Sequence, residues 1–438
     1  MSFNTALSGI QAASSALDVT GNNIANSSTV GFKRSRAEFA DVYNYNAFGG
    51  TSSTSVGGGV SLSRVSQSFA AGNIYGTNNT LDLAINGSGF FIMDNQGAKS
   101  YTRAGQFGLS NQNYIVNAQN ERLTGLLADG NGNITGVSGD LKINTANIKP
   151  KASTIVNAGL NLNSSSTPPL VDWAGGPTPV SDTYTNTTSS TIYDSLGNSH
   201  VLSMYFIMAN SAAAGGVSDA SSPPGATNQW YVAFQIDNQD VPPIAGAQNT
   251  NNLFRANFNP DGTFAGVQDT NNNPLAGNLI PLSKALNNGA NPLSLNIDLS
   301  NTTQFASNFA VLSTFTDGYT TGSLAGLDID DTGVIFGTYT NGQAMTLGKI
   351  QLANFADPES LQNIGNTSWA ETSGSGQPLI STAGSGGLGA INSGNLEDSN
   401  VDLTGELVNL ISEQRNFQAN AQTIRTSDAI TQTIINIR

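Results

Sequence analysis

The chain has no cysteine among its 438 residues, which excludes disulfide staples and thiolate metal centres and suits a protein that must leave a reducing cytoplasm without cross-linking. Histidine is nearly as scarce. His200 is the only one; it lies in strand-like sequence with no motif that places a nucleophile near it, and it reads as a surface or edge-strand residue. Charge is sparse too: 11% of residues are charged, and sixteen basic against thirty acidic side chains leave a net charge of −14. The longest basic run is the Lys33–Arg34 pair with Arg36 beside it, so nucleic acid and anionic membrane are poor partners on electrostatic grounds. No apolar run approaches the ~18 residues that cross a bilayer, and no membrane insertion is expected. The N-terminus has no Lys or Arg before Lys33, and Asp18 interrupts its apolar half, so it lacks both parts of a cleaved signal peptide. An extracellular location would require a route that does not use one.

What is abundant points to strands and turns. Asn, Ser and Thr are frequent and Gly alone contributes 48 residues, a bias toward loops and β-structure, while 19 Phe and 11 Tyr suffice to fill ordinary cores. The length predicts about three domains. Helical periodicity is confined to the two ends. In the tail, Leu403, Leu407, Leu410, Phe417, Ala421 and Ile424 recur at three- and four-residue steps with Gln414 in an intervening slot. The register then slips and resumes at Ile430, Ile434 and Ile437. Ser399 and Asn400 are candidate N-caps for this helix, and Asp402 and Glu406 suit the positive end of its dipole. At the other end of the chain Phe3, Leu7, Ile10, Leu17 and Ile24 form a matching stripe, with Ser14 and Gly21 in its gaps and Ala6, Ala12, Ala13 and Ala16 beside it. One such stripe is ordinarily a helix packed on its own domain; two, at opposite ends of one chain, suggest that they pair.

Between the ends the pattern predicts two all-β domains, one inserted in the other. Residues 1–43 and 394–438 carry the terminal helices, and 44–72 read as a Gly/Ser connector. Short alternating runs such as LDLAI, GFFIM and NYIVN place a first β domain in 73–150, which resumes over 315–393; 151–314 form an inserted, outer β domain with strand runs TIYDSLGNSHVLSMYFIM and QWYVAFQI. Three motifs that hint at ligands lose to blander readings. Gly57 to Gly59 lack the spacing of a nucleotide loop. Asp129 to Asn133 begin like a calcium loop, but Ile134 stands where the sharp-turn glycine belongs and no Glu follows at the twelfth position, so a hairpin turn is predicted. Asp328, Asp330 and Asp331 fit a strand-to-turn transition. No catalytic, cofactor-binding or metal-ligating residue is predicted.

Ala25, Asn26, Thr29, Gly31, Phe32 and Lys33, spaced as ANxxTxGFK just after the first helix, resemble the signature of the rod and hook proteins that form the axis of the bacterial flagellum. LDLAINGSGFFIM followed by YTRAGQF is similar to that family's shared β domain, and LEDSNVDLTGELVNLISEQRNFQANAQTIRTSDAI to its C-terminal helix. The large insertion with YDSLGNSH, and TNGQ at Thr340 to Gln343 before LANF, resemble the hook proteins more than the shorter rod proteins. The resemblance implies a homopolymer: a curved, flexible tube, extracellular and built from chains exported without a cleaved signal. It also implies as partners the distal rod, hook cap and hook–filament junction proteins and the flagellar type III export apparatus, with no cofactor.

Helices of this length with few stabilising charges are marginal in water, so both ends are expected to be disordered in the free subunit and to order on assembly, at a cost of about 2 to 5 kcal/mol. The alternatives are a distal rod-type axial protein, an extracellular carbohydrate-active enzyme or an adhesin. An enzyme needs two carboxylates facing each other across a cleft, and no such pair is evident. An adhesin leaves the matching terminal helices unexplained.

Overall fold

The computed structural model describes residues 2–42, 57–169, 171, 173, 179–209, 228–241, 253–269 and 273–436. Tyr43, Ile437 and parts of the polar stretches 49–60, 218–228 and 268–278 lie outside the described residues. The chain divides into two compact units. The first comprises Met1–Thr145, Ala325–Thr338 and Ala344–Arg438, the second Ala146–Leu324 and Tyr339–Gln343.

The first unit holds both helices, α1 (Ser2–Ala25) and α2 (Leu403–Asn436), which pack on each other. α1 has no proline and is rich in alanine, but no acidic residue in its first turn and no basic residue in its last, so its dipole is not compensated by charge. It ends where the Asn26 amide donates back to the Asn22 and Asn23 carbonyls. α2 starts at a true N-cap: the Asp402 carboxylate accepts from the Thr404 amide at 3.0 Å. The expectation of a Ser399 or Asn400 cap is thereby corrected, because Asn400 has other partners, described below.

The reading of 44–72 as a connector also needs correction. Val60–Gln67 (β2) is a strand, paired antiparallel with Ser35–Asp41 (β1), Phe39 opposite Leu62 and Ala37 opposite Val65. Arg36, Glu38, Arg64 and Ser66 join across the ribbon through the Glu38 carboxylate, whose pKa falls to about 2 because three side chains donate to it. Composition hid this strand: serine alternates with apolar residues that have no core to fill, and Leu62 and Val65 remain exposed.

The sheet of the first unit is discontinuous in sequence. Ala344–Asn354, from beyond the insertion, pairs with Arg122–Ala128 and with Phe90–Asn95, and the order continues through Ala98–Thr102 to Ser368–Ala370. Phe90, Ile92, Tyr101, Phe355 and Trp369 form its buried cluster. The second unit is two sheets sharing one core. One is built on Ile155–Asn163, the other on Ser199–Met208 and Gln229–Ile236; Leu160, Phe206, Trp230, Phe254 and Ile297 meet between them. Trp173 is buried against the other face of the second sheet with Ile207 and Tyr231. The unit begins earlier and ends later than the predicted 151–314, because Ile148 and Lys151 bridge to Gly322 and Tyr319.

Many acidic residues serve turns. Asp129, Asp194, Asp269 and Asp330 each accept, through Oδ1, the amide of the residue four positions on, at 2.8 to 2.9 Å. At three of these turns a glycine in left-handed backbone stands just before that amide: Gly132, Gly197 and Gly333. DGNGN and DIDDTG are thus turn sequences, as predicted. Among the described residues no group of three potential metal ligands converges.

Candidate assembly interface

The two helices run antiparallel. Gly9 faces Asn420, since a Cβ there would lie 2.6 Å from the Asn420 Oδ1, and Ala16, Thr20 and Asn23 share a cleft of about 230 Å3 with Glu406, Asn409 and Glu413. What α1 buries is small or polar: Ala6, Ala13, Ala16, Thr20 and Asn23. The predicted stripes are not brought together as a knobs-into-holes seam. Phe3 is 51% and Leu403 46% exposed, Leu7, Leu407 and Phe417 are also exposed, and Ile10, Leu17, Ile24, Leu410, Ala421 and Ile424 are half-buried. Small side chains let the backbones approach closely, and the large apolar ones are displaced to the flanks. Ala25 is exposed at the end of α1.

The signature residues form the joint between α1 and the first sheet. The Thr29 hydroxyl donates to Asn26 Oδ1 at 3.2 Å, and the Phe32 amide closes the turn on the Thr29 carbonyl. Gly31 has φ +69°, and a Cβ would meet the Ala104 nitrogen at 2.5 Å, so both its conformation and its space require glycine. Lys33 is fully buried. Its Nζ lies 2.6 Å from Glu397 Oε1 and donates to the Ala70 carbonyl, while Arg103 Nη1 lies 3.2 Å from Glu397 Oε2. The Gly72 amide also donates to Glu397, and Arg103 Nη2 donates to the Gly87 carbonyl.

Burial lowers the pKa of both Lys33 and Arg103, and the Glu397 carboxylate acts in the opposite direction to keep them charged. Sequence reading singled out Lys33 but missed its counter-ion. Glu397 stands beside Asp398, and Arg103 at a polar strand end; nothing in either local sequence marks a buried ion pair. Arg34 and Asn400 complete the joint: the Arg34 amide donates to Asn400 Oδ1, Asn400 donates to the Ser68 and Ala70 carbonyls, and the Arg34 guanidinium lies 3.6 Å from Glu406. β2 is held at both ends, its Val60 amide donating to Ser8 of α1 and its Gln67 accepting from the Trp369 indole at 2.6 Å.

A cleft of about 490 Å3 beside this joint is lined by Asn26, Thr29, Phe32, Gln106, Asn117 and Asn366 among others. Among its described lining residues Lys33 alone is titratable.

Comparison with known proteins matches four family descriptions in order along the chain. They are the flagella basal body rod protein (3–33), the flagellar hook protein FlgE/F/G D1 domain (84–158), the flagellar basal body protein FlaE D2 domain (161–319) and the flagellar basal body rod FlgEFG protein C-terminal (392–437). The flagellar hook protein FlgE of Escherichia coli K12 is 37% identical, and that of Salmonella typhimurium 36%, each over the whole of both chains. The chain belongs to the flagellar hook protein family. As a member it is a structural component of the extracellular flagellum rather than an enzyme. The crystal structure of Helicobacter pylori flagellar hook protein FlgE2 shares the fold at 14% identity, with a TM-score of 0.51 over 73% of this chain and 99% of that one.

Proposed function

We propose that the chain polymerises into the flagellar hook through α1 and α2, whose flanking apolar residues pack against the helices of neighbouring copies. The observation that carries this is the division of labour on the helices. Small residues close the contact within one chain, and Phe3, Leu7, Leu403, Leu407 and Phe417 are left for contacts between chains. Heterologous contacts of this kind build open helical assemblies. On the same reading the helices order fully only on assembly, the inserted unit sets the curvature of the tube, and the ends of the tube meet the distal rod, hook cap and hook–filament junction proteins after passage through the type III export apparatus.

The test is the triple variant Leu407→Ala, Leu410→Ala, Phe417→Ala. It should leave the β units folded, as read by near-ultraviolet circular dichroism, while abolishing sedimentable polymer; normal tubes from this variant would overturn the reading. Deleting the inserted unit should leave assembly intact and change tube curvature in electron micrographs.

A further inference from the structure

The Ala310–Thr316 strand of the second unit is an edge. It pairs with Ile155–Asn163 on one side, and the described residues offer no strand to the other. Edges in soluble proteins are ordinarily defended by charge, proline or brevity. The opposite edge of this same sheet, Leu279–Lys284, carries Pro281 and Lys284. The Ala310–Thr316 edge is seven residues long, AVLSTFT, with no charge and no proline. Its register shifts opposite Gly159/Leu160, so that Leu312 is the extra residue of a bulge and stands 64% exposed; Phe315 is 60% exposed. Ile155, also exposed, shares the face of Phe315 through strand alternation.

We propose that this edge is a second contact between copies of the chain, in which Leu312 and Phe315 pack against an apolar surface of a neighbour. The inference rests on polymerisation through the helices and adds a contact on a different unit. Charge selects the occupant. A chain of net charge −14 repels its copies, so they must meet across surfaces free of like charge. The Ala310–Thr316 strand and the Ile155–Asn163 strand beside it have no ionisable side chain between them. The bulge argues for side-chain packing rather than strand addition, since it interrupts the ladder that a further strand would extend.

Because the chain lacks cysteine and the strand is exposed, site-specific probes are straightforward. A benzophenone amino acid is placed at Leu312 in one full-length variant and at Leu407 in another, and both are irradiated as polymer and as dissociated monomer. Interchain cross-linking at 312 in polymer, at least about tenfold above monomer, is expected. Cross-links at 407 without any at 312 would overturn this inference and leave the helix reading intact, and absence of both would overturn the two together. A cross-link from 312 within its own chain, equal in monomer and polymer, would show that the chain covers its own edge and would also overturn it. The double variant Leu312→Lys, Phe315→Lys should lower sedimentable polymer by about tenfold, equivalent to ~1.4 kcal/mol per contact. The control Ser189→Lys, on a polar edge strand of the other sheet, should not.

Discussion

In the inserted unit Phe206, Trp230 and Phe254 sit on strand faces that meet another sheet and are fully buried, whereas on α1 the hidden residues are Ala6, Ala13 and Ala16, and Phe3 and Leu7 stand in solvent. One region satisfies its apolar residues within a single chain; the other cannot. A domain of the first kind gains its hydrophobic stabilisation on folding, and a helix pair of the second kind gains most of it on association. The same sequence thereby separates what must be stable alone from what must be stable only in company.

Glu397 gives the strongest way to break that comparison. Glu397→Ala would leave Lys33 and Arg103 as two buried like charges, a loss of about 3–5 kcal/mol. Calorimetry should show the transition of the first unit moved down and that of the inserted unit unchanged; an equal shift in both would mean that the units do not unfold separately.

A smaller effect belongs to His200, and here the edge-strand reading is corrected. Its strand, Ser199–Met208, lies between two others, and the ring is 11% exposed, held between Asp237 at 2.6 Å and Asp194 at 3.3 Å. Burial acts to lower its pKa, but the two carboxylates outweigh it and the net shift is upward. Lys284, whose charge acts on Asp237, donates to the Ile236 and Gln239 carbonyls. A raised folded pKa means that the stabilisation is fully present below the unfolded value of about 6.5 and is lost as pH rises through the higher folded one. Asp194 and Asp237 are shifted downward despite burial, so their contribution is present above the ordinary carboxylate range and lost as pH falls through it. The melting temperature of the inserted unit should therefore decline with pH above about 6.5, and His200→Gln should remove that slope without altering the first unit.

The smallest effect is expected at Gly9. Gly9→Ala must push the Asn420 side chain aside, which a flexible amide does at little cost, and it gains helix propensity of about 1 kcal/mol. Monomer stability by circular dichroism should change by less than about 1 kcal/mol, with a measurable change in the tube only if helix spacing matters to assembly.

Local pattern made much of this legible. Periodicity located α1 and α2, alternation the strands, and DGNGN and DIDDTG their turns, because each of these is written in neighbouring residues. What pattern could not supply was partnership. The stripe Phe3 to Ile24 announces an amphipathic helix, but whether its large or its small residues face α2 depends on side chains about 400 positions away. β2 went unread because its apolar residues face no core, and His200 was misplaced because Asp237 is contributed by a different strand connection. The cap of α2 was placed two or three residues early, since Asn400 has the chemistry of a cap and is used elsewhere.

Lys33 and Glu397 are 364 residues apart in sequence. Whatever emerges N-terminus first, from a ribosome or through a narrow conduit, presents Lys33 long before its counter-ion exists on the same side. Until then the lysine stays hydrated and the joint stays open. Closing it requires the chain to have arrived as far as Glu397, so a subunit cut short of that residue would bury Lys33 and Arg103 without their counter-ion.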